Sequence, residues 1–240
     1  MGKAKKRPPA MKAYAVQEDC EGTGGIIFAK HAITARRDGA EEYNCGELRG
    51  LSCRRVEWAD HFAETGIVPA ALMVKHGWWF ECVYCRQKIS EDDLAERRLS
   101  ASGVIGDQHG LVFCCKTHAL KHRREQGQRK HAEAVGIKLF SEIVLRRFPD
   151  AKLLDEPQNL RPHAYVTGSL GGPWVNEQII ISFAFPGMKI GPASLRYSRP
   201  YGVPIGPYLP EFACCNGDVE AFTAFADAQK DRCIQPPVPK

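Results

Sequence analysis

The sequence has no apolar run long enough to cross a membrane. A spanning helix needs ~20 predominantly apolar residues, and the most apolar run, IIISFAFPGM, is much shorter. The first residues, MGKAKKRPPAMKAYA, are basic. They lack the apolar stretch of about 7–15 residues that follows the charges of a signal peptide. We therefore expect a cytoplasmic protein without a membrane partner.

Nucleotide-binding loops of the common kinds are also missing. The glycine-rich segment CEGTGG lacks the Lys-Ser/Thr ending of a phosphate-binding loop. It also lacks the strand-to-helix setting of a dinucleotide loop, and the chain contains no internal repeat. The segment is typical of a hairpin turn.

What the chain has is an ordinary globular composition with many cysteines. It has 240 residues, of which 44% are hydrophobic and 25% charged, and it contains ten cysteines. In a reducing compartment, clustered cysteines indicate metal ligation sooner than disulfides. The spacing of the cysteines is therefore the first place to look for a functional site.

Positive charge is concentrated in two segments although the net charge is only +5. Residues 1–12 contain five basic and no acidic residues, and residues 116–147 contain nine basic and three acidic ones. The rest of the chain is net acidic. Such local positive charge attracts phosphate groups, which favours contact with nucleic acid.

The pattern of elements predicts an α+β protein, with small antiparallel sheets around a treble-clef-like zinc module and one long or broken basic helix. Strand-like segments such as AYAV, GGIIFAKHAITA, LSCRRVEW and WVNEQIIISFAF are separated by turn residues. The predicted organisation is a basic disordered tail (1–12), a β-rich N-terminal part (13–71), the zinc module with its basic helix (72–150), a β-rich C-terminal part with a short helix (151–233) and a tail (234–240).

The longest predicted helix starts near residue 116 and ends before Pro149. Gly127 and Gly136 each destabilise a helix by ~1 kcal/mol relative to alanine. The sequence is therefore compatible with one long helix or with two helices joined near Gly127. A face that recurs at three- and four-residue spacing is predicted to be buried; it consists of Ala132, Val135, Leu139, Ile143 and Val144. Ser90 and Asp218 are predicted to cap two short helices.

The strongest chemical signal is Cys82-x-x-Cys85 followed by Cys114, Cys115 and His118. Thiolate and imidazole are the ligands that zinc prefers in a closed structural site. If a helix begins at Cys115, this residue and His118 lie on one face of its first turn. The predicted ligands of one structural zinc ion are therefore Cys82, Cys85, Cys115 and His118, with Cys114 as the alternative to Cys115.

The segments ECVYCRQK and FCCKTHAL resemble the knuckle and the helix start of a treble-clef zinc finger, over residues 78–126. Arg86 departs from that family, which usually has a glycine at this point of the knuckle. Treble clefs occur in structural, nucleic-acid-binding and nuclease proteins, so the resemblance does not choose among these functions.

A nuclease is one alternative. The segment GDQHGLVFCCKTHALKHR resembles the His-Asn-His nucleases, which implies Asp107 and His109 as local catalytic candidates and His122 as the residue that completes a metal–water site. That family separates the active histidine from the last ligand by a loop and a strand, whereas His109 lies six positions before Cys115. The competing interpretation is a polar turn, and we assign no catalytic residue.

The other candidate groups have weaker patterns. Cys20, Cys45 and Cys53 are spaced unlike a compact ligand set, so buried thiols are favoured over a second metal site. Cys214 and Cys215 are neighbours whose side chains point in opposite directions on a strand. Trp78 and Trp79 are predicted to form core beside the knuckle, or to stack on bases if they are exposed.

The sequence therefore favours a zinc-stabilised binding protein over an enzyme. The predicted nucleic-acid contacts are Lys121, Arg123, Arg124, Arg129 and Lys130. The stretches IIFAKHAITARR and FPGMKIGPASL resemble uncharacterised proteins of bacteriophages and prophages, which implies an accessory role in a bacterial host cell. The alternative is an inhibitor or adaptor that binds a host or viral protein through the proline-rich segment 199–213. DNA, RNA and the oligomeric state remain open.

Overall fold

The computed structural model describes residues 11–20, 22–156, 160–199 and 209–229. Residues 1–10 of the predicted basic tail, the predicted tail 234–240 and residues 200–208 of the proline-rich segment lie outside this range. The chain forms two compact units, residues 1–122 and 123–240. The boundary lies inside the predicted 72–150 segment.

The N-terminal unit begins with a three-stranded antiparallel sheet in the order β2-β1-β3, with one helix after β2. The elements are β1 (Lys12–Glu18), β2 (Gly24–Ala29), α1 (Ala32–Tyr43) and β3 (Leu51–Arg55). Both faces of the sheet are covered. Along β1, Tyr14 and Val16 face a cluster that includes Ala35 of α1, while Ala13 and Ala15 belong to a second cluster. This alternation follows the two-residue period of a strand.

The helix α1 corrects the sequence analysis, which predicted only strands and turns for this part of the chain. The segment RRDGA looks like a break, but Gly39 lies inside the helix. A Cβ atom at Gly39 would lie 2.5 Å from Cγ1 of Val16, so the helix approaches the sheet at a distance that only glycine permits. Gly39 therefore allows α1 to pack closely against the sheet and does not form a turn.

The rest of the N-terminal unit is built from short elements. They are a 3₁₀ segment (Glu57–Phe62), α2 (Ala70–Lys75), β4 (Phe80–Glu81), β5 (Lys88–Ile89), α3 (Glu91–Glu96) and a 3₁₀ turn (Ala101–Gly103). The strands β4 and β5 form an antiparallel hairpin. The predicted cap at Ser90 is confirmed, because its Oγ accepts a hydrogen bond from the backbone N–H of Asp93 at 3.2 Å.

One uninterrupted helix, α4, spans Lys116–Arg147. The boundary between the two units falls within it, between His122 and Arg123. Nothing lies within 4 Å of the position that a Cβ atom of Gly127 would take, and the helix continues through this residue. Of the two arrangements left open by the sequence, the structure has the single long helix.

The C-terminal unit contains a five-stranded antiparallel sheet around the long strand β8. Its elements are β6 (Lys152–Leu153), β7 (His163–Thr167), β8 (Val175–Ala184), β9 (Ala193–Ser198), β10 (Glu211–Ala213) and α5 (Val219–Ala228). The strand order is β10-β9-β8-β6, and β7 also pairs with β8. Both units combine helices with small antiparallel sheets, which confirms the predicted α+β class.

The core of the C-terminal unit is rich in phenylalanine. Phe140, Val144 and Phe148 pack with the buried side chains of β8 and with Phe225 of α5. The predicted buried face of α4 is wrong at two positions, because Val135 and Leu139 are 52% and 53% exposed. The buried stripe instead contains Gly136, Phe140 and Val144, at four-residue spacing.

Asp218 does not cap α5 through its side chain, contrary to the sequence prediction. Its carboxylate instead accepts backbone hydrogen bonds from Lys189, Ile190 and Gly191 at 2.8–3.0 Å. The residue is 1% exposed. The backbone donors, that of Gly191 first, outweigh the effect of burial and lower the pKa of Asp218 to about 2. The residue thus anchors the loop before β9.

Candidate metal centre

Three cysteines and one histidine of the N-terminal unit converge on one point. In the described part of the chain, the ligand atoms of Cys82, Cys85, Cys114 and His118 all lie within 4.8 Å of one another. The Nδ1 atom of His118 is 3.7 Å from Sγ of Cys82 and 3.1 Å from Sγ of Cys114. The Sγ atoms of Cys85 and Cys114 are 3.9 Å apart. This group can hold a metal ion.

Cys82 and Cys85 of this group lie in the tight turn between β4 and β5. The backbone N–H of Arg86 donates to the carbonyl of Cys82 at 2.8 Å, and the N–H of Cys82 donates to the carbonyl of Gln87 at 2.9 Å. Arg86 takes a left-handed conformation, with φ of 60°. This conformation is the one that glycine adopts without steric cost.

The other two residues of the group, Cys114 and His118, lie just before α4 and in its first turn. Phe113 forms an isolated antiparallel bridge with Ile105, and Cys114 follows it directly. Cys114 is 1% exposed, and its backbone N–H points at Sγ of Cys82 at 3.5 Å. His118 lies in the first turn of α4, four residues after Cys114. The last ligand pair therefore joins the end of an extended segment to the helix.

The group corrects the predicted set at one position. Cys115 does not belong to it, and Cys114, the alternative, takes its place. The prediction assumed a helix that begins at Cys115, but α4 begins at Lys116. The carbonyl of Cys115 accepts the bond from the N–H of Ala119, so Cys115 occupies the position just before the helix. Its side chain is half-buried.

The electrostatics of the group favour a bound cation. Burial raises the pKa of Cys82, but hydrogen bonds from backbone N–H groups, chiefly those of Cys85 and Cys114, and from His118 outweigh it and lower that pKa to about 6. The pKa of Cys114 is raised by burial and by the neighbouring sulfurs, that of Cys82 first. Two thiolates so close repel each other unless a positive charge lies between them. A metal ion held by this group would supply that charge.

The metal group forms part of a small core. Buried residues around it include Ile89, Leu94, Val104 and Phe113. The ring of Tyr84 lies 5.0 Å from the imidazole of His118, between ring centroids, and the Nζ atom of Lys121 lies 5.9 Å from the Tyr84 centroid. The group thus connects the β4–β5 hairpin to the first turns of α4.

The other cysteines that the structure describes do not join this group. Cys20 and Cys45 are exposed, which corrects the expectation of buried thiols at these positions, and Sγ of Cys53 is 3.6 Å from the carbonyl oxygen of Ala32. Cys214 packs against the C-terminal core, whereas Sγ of Cys215 donates to the carboxylate of Asp218 at 3.2 Å. The two neighbours therefore have different surroundings.

The nuclease candidates have other contacts. Oδ1 of Asp107 accepts a hydrogen bond from the backbone N–H of His109 at 2.9 Å, which is a polar turn. Nε2 of His109 lies 2.8 Å from the side-chain amide of Gln108, and its Nδ1 lies 3.8 Å from a carboxylate oxygen of Glu42. The ring of His122 packs against Phe113. Among described residues, these three candidates do not form a metal-binding group.

The predicted nucleic-acid contacts all lie on α4. The side chains of Lys121, Arg123, Arg124 and Lys130 are exposed. Arg129 is half-buried, donates to the carboxylate of Glu133 at 2.9 Å and lies 5.7 Å from the centroid of the Tyr165 ring. Within α4, which is described throughout, Glu142 is the single exposed acidic residue. The exposed face is therefore basic as far as Lys138.

Comparisons with known proteins give no further guide: no family model matches the chain, and neither the curated proteins nor the solved structures yield a match. Among the residues that the structure describes, no helix is both long enough and apolar enough to span a bilayer.

Proposed function

We propose that the protein is a zinc-stabilised nucleic-acid-binding protein. Cys82, Cys85, Cys114 and His118 hold one structural zinc ion. Tetrahedral zinc, with Zn–S of about 2.3 Å and Zn–N of about 2.0–2.1 Å, places two ligand sulfurs about 3.8 Å apart and a sulfur and a nitrogen about 3.6 Å apart. The Cys85–Cys114 and Cys82–His118 distances of 3.9 and 3.7 Å fit these values, whereas the Cys114–His118 distance of 3.1 Å is shorter than the tetrahedral value by about 0.5 Å.

The arrangement of the ligands supports the treble-clef assignment. Two ligands lie in the knuckle of a β-hairpin, and the other two flank the first turn of a helix. Four protein ligands close the coordination shell and leave no position for a catalytic water, so the ion is structural. It fixes the start of α4 on the hairpin and supplies folding free energy to a part of the chain that has a small core.

The observation that carries nucleic-acid binding is the basic exposed face of α4. Arg123 and Lys130 of the C-terminal unit are exposed and lie seven residues apart, which is two helical turns and about 10.5 Å along the axis. Arg124 lies about 100° around the helix from Arg123. Cations presented in this way neutralise phosphates and release their counterions. Arg129, whose guanidinium is already bonded to Glu133, contributes less.

The test is binding of a fluorescent oligonucleotide at several salt concentrations. The triple variant Arg123→Gln, Arg124→Gln, Lys130→Gln should bind more weakly. The slope of log affinity against log salt should become shallower by about 2–3, because each phosphate that is no longer neutralised changes it by roughly 0.7–0.9. A charge-matched control replaces three exposed cations of the N-terminal unit, Lys30→Gln, Arg37→Gln and Lys75→Gln.

The control should bind like the wild type. Equal weakening by both triple variants would mean that net charge and not α4 carries the interaction. No salt-dependent binding of DNA or RNA, together with a protein partner retained after nuclease treatment, would favour the inhibitor or adaptor. Cleavage of plasmid DNA that requires Mg²⁺ and is abolished by His109→Ala would favour the nuclease. A bacteriophage or prophage origin fits each of these alternatives.

A further inference from the structure

The N-terminal unit contains a pocket beside the hairpin that carries the first two metal ligands. Its volume is about 300 Å³, and its lining includes Gly22, Gly24, Arg54 and Trp79. This volume lies at the lower end of the range of small-ligand sites, about 300–1,000 Å³. The pocket is therefore large enough for one planar group with a polar substituent.

The pocket opens where the apolar face of the first sheet ends. Ala13 and Ala15 are buried on one face of β1, and Gln17, two residues further on, lies on the same face. In the sheet register, Gln17 pairs with Gly24 and Ala15 pairs with Arg54. A polar side chain, a glycine and a cation thus replace apolar side chains at this end, and they leave a space that the core does not fill.

The walls of the pocket are fixed by hydrogen bonds. Nε2 of Gln17 donates to the carbonyl of Gly22 at 3.0 Å. Nε2 of Gln108 donates to the carbonyl of Gly66 at 3.1 Å, and its Oε1 accepts from the N–H of Ile26 at 3.1 Å. A ligand that enters a preformed site loses less free energy to the ordering of side chains. These contacts therefore favour binding.

The chemistry of the opening suits a planar, anionic ligand. Trp79 is 51% exposed, a large fraction for an indole that lines a pocket. Arg54 is exposed at the same pocket, and the Nζ atom of Lys88 lies 5.6 Å from the Trp79 ring centroid. The described lining residues include no carboxylate. Exposed aromatic rings with nearby cations are the means by which proteins bind single-stranded nucleic acid.

We infer that this pocket binds one unstacked nucleotide of a single-stranded nucleic acid, with the base stacked on Trp79 and a phosphate at Arg54. The inference rests on the proposed nucleic-acid-binding function and narrows the ligand to single-stranded nucleic acid. A base in a duplex is paired and stacked between neighbours, so it cannot reach the indole. Trp79 therefore contributes to the affinity for single strands and not to the affinity for duplexes.

The experiment compares a labelled thymidine oligonucleotide of roughly 15 nucleotides with a duplex of the same length. Trp79→Ala should weaken single-strand binding about tenfold, and Trp79→Phe should retain most of the affinity because the ring still stacks. Neither substitution should change duplex binding. Ile33→Ala is the matched control, because Ile33 is an exposed apolar residue of the same unit, 68% exposed, outside the pocket.

The outcomes separate this inference from the proposed function. If the α4 triple variant weakens binding and Trp79→Ala does not, the pocket inference is wrong and the function stands. If Trp79→Ala weakens single-strand binding and the triple variant has no effect, the pocket is the site and the assignment to α4 fails. Equal loss for Trp79→Ala and Trp79→Phe, with unchanged metal content, would exclude stacking. The absence of any oligonucleotide binding would refute both.

Discussion

Replacing Cys114 by serine should remove the metal ion, whereas the same change at Cys115 should leave it bound. Cys114 is 1% exposed, and its sulfur lies 3.1 Å from Nδ1 of His118 and 3.9 Å from the sulfur of Cys85. Cys115 lies outside the ligand group. The two residues are adjacent and chemically identical, so the pair of variants isolates the effect of ligation.

The magnitude follows from linkage between metal binding and folding. An ion that binds only the folded state stabilises it by RT ln(1 + [Zn]/Kd), about 4.1 kcal/mol when free zinc is 1,000 times the Kd. If Cys114→Ser raises the Kd by that factor, nearly all of this stabilisation is lost. Without metal, serine at Cys114 replaces a similar volume and should cost about 1 kcal/mol. A chelator should therefore reduce the difference between variant and wild type to the ~1 kcal/mol of the substitution itself.

The assay is urea unfolding with zinc and with a chelator, combined with metal analysis of protein purified under reducing conditions. Tryptophan fluorescence reports chiefly on the N-terminal unit, because Trp58, Trp78 and Trp79 all lie in it. Wild-type protein and Cys115→Ser should contain about one equivalent of zinc. A metal-free wild type, or loss of zinc from Cys115→Ser but not from Cys114→Ser, would refute the assignment.

Two further predictions concern packing and pH. Gly39→Ala should destabilise the fold by about 1–2 kcal/mol in thermal unfolding, because the added Cβ would lie 2.5 Å from Cγ1 of the buried Val16. The cost of this overpacking exceeds the gain in helix propensity from replacing glycine by alanine. Gly127→Ala, where nothing lies within 4 Å of the added Cβ, should instead stabilise by about 0.5–1 kcal/mol, and the opposite signs are the check. Asp218→Asn should destabilise clearly near pH 6. Because the pKa of Asp218 is lowered to about 2, that difference should shrink as pH falls from about 4 to 2, and a pH-independent difference would contradict the anchoring role.

The ligand set shows how far sequence reasoning reaches. The spacing of Cys82 and Cys85, and of His118 from a preceding cysteine, is enough to indicate a group that can hold a metal ion, because ligand geometry restricts spacing strongly. The choice between Cys114 and Cys115 depends on whether the helix begins one residue earlier or later. Such a boundary is decided by local hydrogen bonds, here the bridge between Phe113 and Ile105, and not by composition.

The prediction of the buried face of α4 was wrong for a different reason. The sequence contains two overlapping apolar stripes, one through Val135 and Leu139 and one through Phe140 and Val144. Periodicity alone does not rank them. The sheet of the C-terminal unit packs against the second stripe, which includes Gly136. A Cβ atom at Gly136 would lie 2.8 Å from Oδ1 of Asn176. The close approach of helix and strand at this glycine is a tertiary effect that no local pattern indicates.

Arg86 connects the local strain of the knuckle to the metal. A non-glycine residue in the left-handed conformation costs roughly 1–2 kcal/mol, and the chain keeps one here, with φ of 60°. The turn at Arg86 lets its N–H bond to the carbonyl of Cys82, which closes the knuckle so that Cys82 and Cys85 face the same point. Cys45 and Arg98, which are not in the metal group, also have positive φ, so the chain bears this cost elsewhere without a metal. At the knuckle, the proposed ion would offset the cost with a free energy of binding several times larger. The strained turn, the crowded thiols and the small surrounding core are thus all consistent with the proposed metal ion, around which this part of the chain would fold.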